Sequence, residues 1–352
     1  MSLLRPRVSK GRSYTAGLAV TTIGIALFVL TVRRAGFQAI LDGLGRAGGW
    51  FLLILVLSGI RHIARGVAWA WSVDPPAHLP VRDACVAHVA GHALGNLTPL
   101  GVAISEPTKV LWVRDRVSLV AGGAALTIEN LVYSASVLPI FIVGTVALPV
   151  ALQTTATITW VSVAMLVASA AGVGAAFYAV ARKWRFLSGT LTWIAARGLF
   201  PHVISTRMLA AREAEDLIHR FTAGGAGRLL SIAAVEAVYQ ASAIAEVYVT
   251  LIALGFHVSF LTTFILEYVN RVITVAFKFM PMRLGVDEAG TGLAAGLLGL
   301  GSTAGVTLAV VRKGRVLCWS IVGLVFLAWG GAAKRASARG ATTPQSEARA
   351  GE

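Results

Sequence analysis

The stretch NLTPLGVAISEPTKVLWVRD, residues 96–115, decides the fold. Its surroundings are apolar, yet Glu106, Pro107 and Lys109 stand at its centre and Pro99 closes the helix before it. A second stretch, KFMPMRLGVDEAGTGLAAGLLGL at 278–300, follows the same plan: Pro281 precedes Glu288 by seven residues, as Pro99 precedes Glu106. Neither is an ordinary span, because backbone interrupted at membrane depth must be buried in protein or line a wet cavity. At the same offset of 182, the apolar run 118–148 falls on 302–329, and Asn130, beside Glu129, falls on Arg312. These spacings predict two broken or re-entrant helices inside a repeat, one copy at about 82–148 and the other at about 260–329.

The rest of the chain is apolar too. Of its 352 residues 56% are hydrophobic and only 13% charged, with mean hydropathy +0.75, where a soluble protein carries about 25% charged residues. That excludes a soluble enzyme or a disordered scaffold. The fold class expected is an all-α integral membrane protein of about eight transmembrane helices, at 14–32, 50–71, 82–97, 118–148, 155–181, 229–254, 260–280 and 302–329. A basic cytoplasmic N-terminus (1–13) precedes a single membrane domain (14–330), and a polar, small-residue tail (331–352) reads as disordered. No small-residue cleavage site follows the first apolar run, so it reads as an uncleaved span. Residues 35–49 read as an interfacial helix. The segment 182–228, with eight Lys/Arg against three acids plus Trp184, Phe186 and Trp193, reads as amphipathic helices on the cytoplasmic surface.

Lys and Arg outnumber Asp and Glu by 31 to 16, a net charge of +15. The basic residues lie between apolar runs, not in one patch, which points to positive-inside orientation and away from nucleic acid. With the N-terminus inside and each broken segment carrying the chain back, Arg114, Arg116, the 182–228 segment and the tail all fall inside, whereas Arg33, Arg34 and Arg46 do not. The two repeats then run in opposite directions, the arrangement by which many transporters build a midplane site. The preference for Arg over Lys, with abundant Ala and Gly, points to a GC-rich bacterial genome and hence to the bacterial inner membrane.

An ionisable group near the bilayer centre costs about 2.5–3.5 kcal/mol on insertion scales and marks a functional site by default. Glu267, Arg271, Thr274 and Lys278 share one helical stripe, and Arg283, Asp287, Glu288 and Arg312 join them around one broken helix. Arg271, Lys278, Arg283 and Arg312 are the expected contacts to a lipid phosphate, Arg by a bidentate fork and Lys as a point charge. The other reading is that Glu267 and Arg271 form an internal pair that only locks packing. Asn96, Thr98, Glu106 and Lys109 form the matching substrate-binding set in the first repeat, and Glu106 and Glu288 could equally serve as helix caps. Glu129, Glu236 and Glu267 are proton-coupling candidates, since an apolar setting favours the protonated carboxyl. Glu246, ten residues from Glu236, sits about 80° away around the helix.

His88, His92 and Asn96 form one stripe, but no third ligand accompanies them, so no metal is expected. Arg61, His62 and Arg65, with Trp69 and Trp71, read as an interfacial anchor that snorkels to the headgroups. Cys85 and Cys318 fall in apolar stretches and suggest no disulfide. No phosphate-binding loop, dinucleotide fingerprint, G-x-S-x-G or paired metal motif appears, so no cofactor is expected and ATP-driven transport would need a partner chain.

The run NLTPLGVAISEPTKVLWVRD, followed by a span with Glu129, resembles the transmembrane domain of the lysylphosphatidylglycerol synthases. The later run 277–317, with its P-x-x-x-G-V-x-E element and downstream Arg312, resembles the second half of that domain, and together they cover about 50–329. The resemblance implies a flippase-like protein that moves a polar, anionic lipid across the membrane. It also implies a stand-alone member: the chain ends about twenty residues after the last span, so the soluble synthase domain and its aminoacyl transfer are not expected. Family members often carry Glu-Arg where this chain has Glu129-Asn130, so substrate charge need not match. Two other readings stay open: an integral-membrane enzyme acting on a lipid-linked substrate through Asp287 and Glu288, and a non-transporting partner of a lipid-pathway enzyme that docks through 182–228.

Overall fold

A computed structural model describes residues 37–98, 101–152, 156–197, 201–277, 280–283 and 285–340. The expected first span at 14–32, the N-terminus 1–13 and Lys278 lie outside the described residues. Among those described there is no strand, and twelve helices follow one another: α1 (Phe37–Ala47), α2 (Trp50–Trp71), α3 (Val81–Leu97), α4 (Gly101–Trp112), α5 (Leu119–Leu152), α6 (Ala156–Ala181), α7 (Phe186–Ala196), α8 (Pro201–Ala223), α9 (Ala226–Ala253), α10 (Phe260–Ala276), α11 (Val286–Leu297) and α12 (Ser302–Gly340).

Four of them, α2, α5, α6 and α9, are long and apolar enough to cross a membrane. Of the about eight spans expected, these four qualify by length and composition, while the one expected at 14–32 lies outside the described residues. At 17 residues, α3 and α10 reach only about 25 Å, short of the roughly 30 Å hydrocarbon core. The 39 residues of α12 are long enough but carry Arg312, Lys313 and Arg315. That helix also continues through Gly340, ten residues into the expected tail, where Ala, Lys and Arg all favour helix.

The interrupted stretches become two 12-residue helices, α4 and α11. Each doubles back on a neighbour at small residues. A Cβ on Gly101 would collide with the backbone of Gly95, and one on Gly91 would meet Ser105 and Lys109, so α4 lies tight against α3. A Cβ on Gly305 would collide with Thr291, so α11 lies tight against α12. The partner therefore differs: α4 packs on the helix before it and α11 mainly on the helix after it. Between α10 and α11 the chain turns through Met282 (φ 47°) and Arg283 (φ 48°) to Gly285 (φ 85°), left-handed backbone that two of these residues adopt at a cost.

Remaining contacts assemble the bundle. α2 lies against α9 and α3, and α12 lies against α3, with Gly323 close to Ala93 and Val89. By contrast α6 exposes Trp160, Val161 and Val167 and buries only Ser162, an outer surface suited to lipid. The 182–228 segment holds α7 and α8, joined where Glu215 accepts hydrogen bonds from the Ser188 backbone (3.0 Å) and hydroxyl (2.6 Å). Its basic residues gather at one end of the bundle with others: Arg228 and Arg220 reach Asp74 at 3.2 and 3.8 Å, and Arg116 reaches Asp83 at 3.0 Å. Gly330, near the end of α12, meets Trp112 at the same end.

Gly305→Ala should lower the thermal stability of the purified protein by about 1–3 kcal/mol, because the added methyl overpacks the α11–α12 contact. Gly172→Ala on α6, where nothing lies within 4 Å, should be neutral or stabilise by up to about 1 kcal/mol. Equal melting shifts for the two would refute the close approach.

Candidate functional site

The bundle encloses a cavity of about 320 Å³ walled by α2, α3, α4, α5, α9, α10, α11 and α12. The helix breaks converge on it: Asn96 and Thr98 at the end of α3, Gly101 at the start of α4, and Met280, Met282 and Arg283 between α10 and α11 all line it. The Thr98 hydroxyl donates to the Leu94 carbonyl at 2.7 Å, which satisfies one of the free carbonyls where α3 stops.

Charged side chains dominate the walls. Glu246 on α9 is shared by Arg61 of α2 (2.9 Å) and Arg315 of α12 (2.7 Å). Glu267 on α10 holds Arg271 at 2.8 Å and lies 3.6 Å from Arg312. Arg271 also donates to the Tyr133 hydroxyl at 3.0 Å, and Arg61 to the Tyr239 hydroxyl at 2.9 Å. At Arg65, which also lines the cavity, the ratio is reversed: it serves two buried carboxylates, Glu129 at 2.7 Å and Glu236 at 3.3 Å, while stacking 4.1 Å over the Tyr133 ring.

Asn130 joins these groups to the first broken helix. Its carboxamide accepts from Arg65 at 3.0 Å and donates to Glu106 at 3.2 Å, and Glu106 also holds Lys109 at 2.8 Å. In the second broken helix Glu288 accepts from the Gly285 backbone N–H at 2.8 Å and pairs with Lys313 of α12. Glu106 and Glu288 are thus each reached by a polar side chain about a third of the way along the following long helix.

Most residues singled out from sequence meet here. Asn96, Thr98, Glu106, Lys109, Glu267, Arg271, Arg283, Asp287 and Arg312 line the cavity, and Glu288 stands behind Lys313. Glu267 and Arg271 do form the internal pair, and the pair faces the cavity. Glu129 and Glu236 are not lone carboxylates: Arg65, distant in sequence, is their counter-ion. Glu246 pairs with other arginines, so the offset between it and Glu236 is no obstacle.

The anchor reading of α2 is corrected. Arg61, His62 and Arg65 point into the bundle, and Trp69 is buried, donating from Nε1 to the Gly122 carbonyl at 3.1 Å; only Trp71 is exposed. The signal was present: Arg61 lies at the middle of a 22-residue helix, too far from either end to snorkel. His62 joins His88 and His92, with ring centroids 5.5 and 5.1 Å away, yet no group of three potential ligands among the described residues is placed to hold a metal. Lys313, Arg315, Tyr133 and Tyr239 were not anticipated, since only packing brings them to the wall.

Several polar atoms in the cavity have no hydrogen-bond partner: Nη1 and Nη2 of Arg312, Nη2 of Arg271, Nε of Arg283, Nδ2 of Asn96 and Oδ1 of Asp287. A buried polar atom without a partner is costly, and most of these are donors.

A family model described as the transmembrane region of lysylphosphatidylglycerol synthase matches residues 14–326. No curated protein and no solved structure gives a significant match.

Arg65→Met should destabilise the purified protein by about 3–5 kcal/mol, because Glu129 and Glu236 then stay buried without a cation. Adding Glu129→Gln and Glu236→Gln should restore most of the melting temperature. A triple variant no more stable than the single one would contradict the pairing.

Proposed function

Because this chain belongs to the family of the lysylphosphatidylglycerol synthase transmembrane region, we propose that it moves a polar, anionic lipid across the bacterial inner membrane, the headgroup passing through the cavity while the acyl chains stay in the bilayer. The observation that carries this reading is the Arg312 guanidinium: it is buried, it lines the cavity, it reaches Glu267 only at 3.6 Å, and both its terminal nitrogens lack a hydrogen-bond partner. Arg271 and Arg283 stand with it, and a phosphate would meet the unfilled donors bidentately.

The route we infer is an inverted repeat, α3–α4–α5 against α10–α11–α12. Support comes from helix lengths of 17, 12 and 34 residues against 17, 12 and 39, and from the like contacts Asn130–Glu106 and Lys313–Glu288. The two short helices act as re-entrant elements whose breaks meet at the headgroup site. We place the end that gathers Arg116, Arg220 and Arg228 in the cytoplasm by the positive-inside rule, and the N-terminus with it. Transport without chemistry fits Glu288, which is engaged by Lys313 and by the Gly285 N–H and is poorly placed to act with Asp287 as an acid–base pair. Glu129 and Glu236, tied to Arg65, serve structure first, and any proton coupling would need that pair to open.

In liposomes holding the purified protein, headgroup-labelled anionic phospholipid should cross the bilayer, and Arg312→Gln should slow it at least about tenfold, the effect of about 1.4 kcal/mol. Arg271→Gln should do likewise. Undiminished transport by either folded variant would sink the headgroup path.

A further inference from the structure

The cavity is chemically uneven along its length. Arg312, Arg315 and Trp319 on α12 all line it, and seven residues of helix place its two ends about 10 Å apart. Toward one end stand Arg271, Arg283 and Arg312; the cations nearer the other end, Arg61, Lys109 and Arg315, are each paired with a carboxylate. That other end holds the indole of Trp319, whose ring centroid lies 4.8 Å from that of His62 and which packs against Gly59. Trp319 Nε1 has no hydrogen-bond partner, and neither has Nδ2 of Asn96, one turn beyond His92 on α3. Imidazole, indole N–H and carboxamide bond to neutral hydroxyls, and an aromatic face packs against C–H surfaces.

An ammonium would want a free carboxylate at this end. The lining carboxylates Glu106, Glu246 and Glu267 are each engaged by Lys or Arg, and Asp287 belongs to the Arg283 break. A volume of about 320 Å³ lies at the low end of small-molecule pockets, roughly 300–1,000 Å³, which suits a headgroup and leaves the acyl chains outside.

We propose that the headgroup is a phosphate ester of a neutral polyol, with the phosphate at Arg271 and Arg312 and the hydroxyls against Trp319, His62 and Asn96. The assignment rests on the lipid-transport reading and deepens it by naming the class of lipid.

The test is binding of short-chain lipids to the full chain in detergent, with translocation in vesicles measured alongside. Phosphatidylinositol should bind about tenfold tighter than phosphatidylethanolamine or phosphatidic acid. Trp319→Leu should remove most of that preference while phosphatidic acid binding changes less than about twofold, and Trp319→Phe, which keeps the ring and loses the N–H, should fall between. Phosphatidylglycerol matching phosphatidylinositol would identify a glycerol-sized polyol, and its failure to match would identify the ring; either supports the proposal. Ethanolamine lipid bound as tightly, no binding of any of the four, or a uniform loss in Trp319→Leu would overturn it. Polyol-selective binding without translocation would remove the transport reading and leave the headgroup assignment standing; translocation abolished by Arg312→Gln with no polyol preference would do the reverse.

Discussion

Every other feature of this molecule depends on how buried charge is neutralised. Removing one partner of a buried ion pair typically costs about 3–5 kcal/mol, so the helices carrying Glu129, Glu236, Glu246 and Glu267 are held where Arg61, Arg65, Arg271 and Arg315 can reach them. Arg65 neutralises two of the four carboxylates. It bonds to α5 and α9 at once, and through Asn130 its influence extends to Glu106 on the first broken helix.

The pairing is uneven, and the unevenness separates structure from binding. Around Arg65 two carboxylates share one guanidinium; around Glu246 and Glu267 each carboxylate is shared by two arginines. In the first group the carboxylates Glu129 and Glu236 are buried away from the cavity, and Arg65 lies between them and it. The second faces the cavity with donors to spare, among them the Arg312 nitrogens.

The breaks bring these groups to one depth. Because α4 and α11 are 12 residues long, about 18 Å, each can start beside the cavity, at Gly101 and next to Asp287. Glycine contacts let each short helix lie against its neighbour. The left-handed backbone at Met282 and Arg283 is the conformational cost of turning within so small a space, on the order of 1–3 kcal/mol per residue.

Much of this was legible in the residues alone. Pro99 and Pro281, each seven before a glutamate, announced the two interruptions because proline and a carboxylate in an apolar run act locally on the chain that contains them. The stripes that put Arg271 with Glu267 and His88 with His92 also follow from helical periodicity within one element. What only the tertiary structure decided is which helix answers which. Arg65 finds Glu236 across 171 residues, Arg315 finds Glu246 across 69, and Arg61 turns inward to a cavity instead of outward to headgroups. Such partnerships are set by the rotation and depth of helices packed side by side, and helical periodicity within a single segment carries no information about its neighbour's rotation.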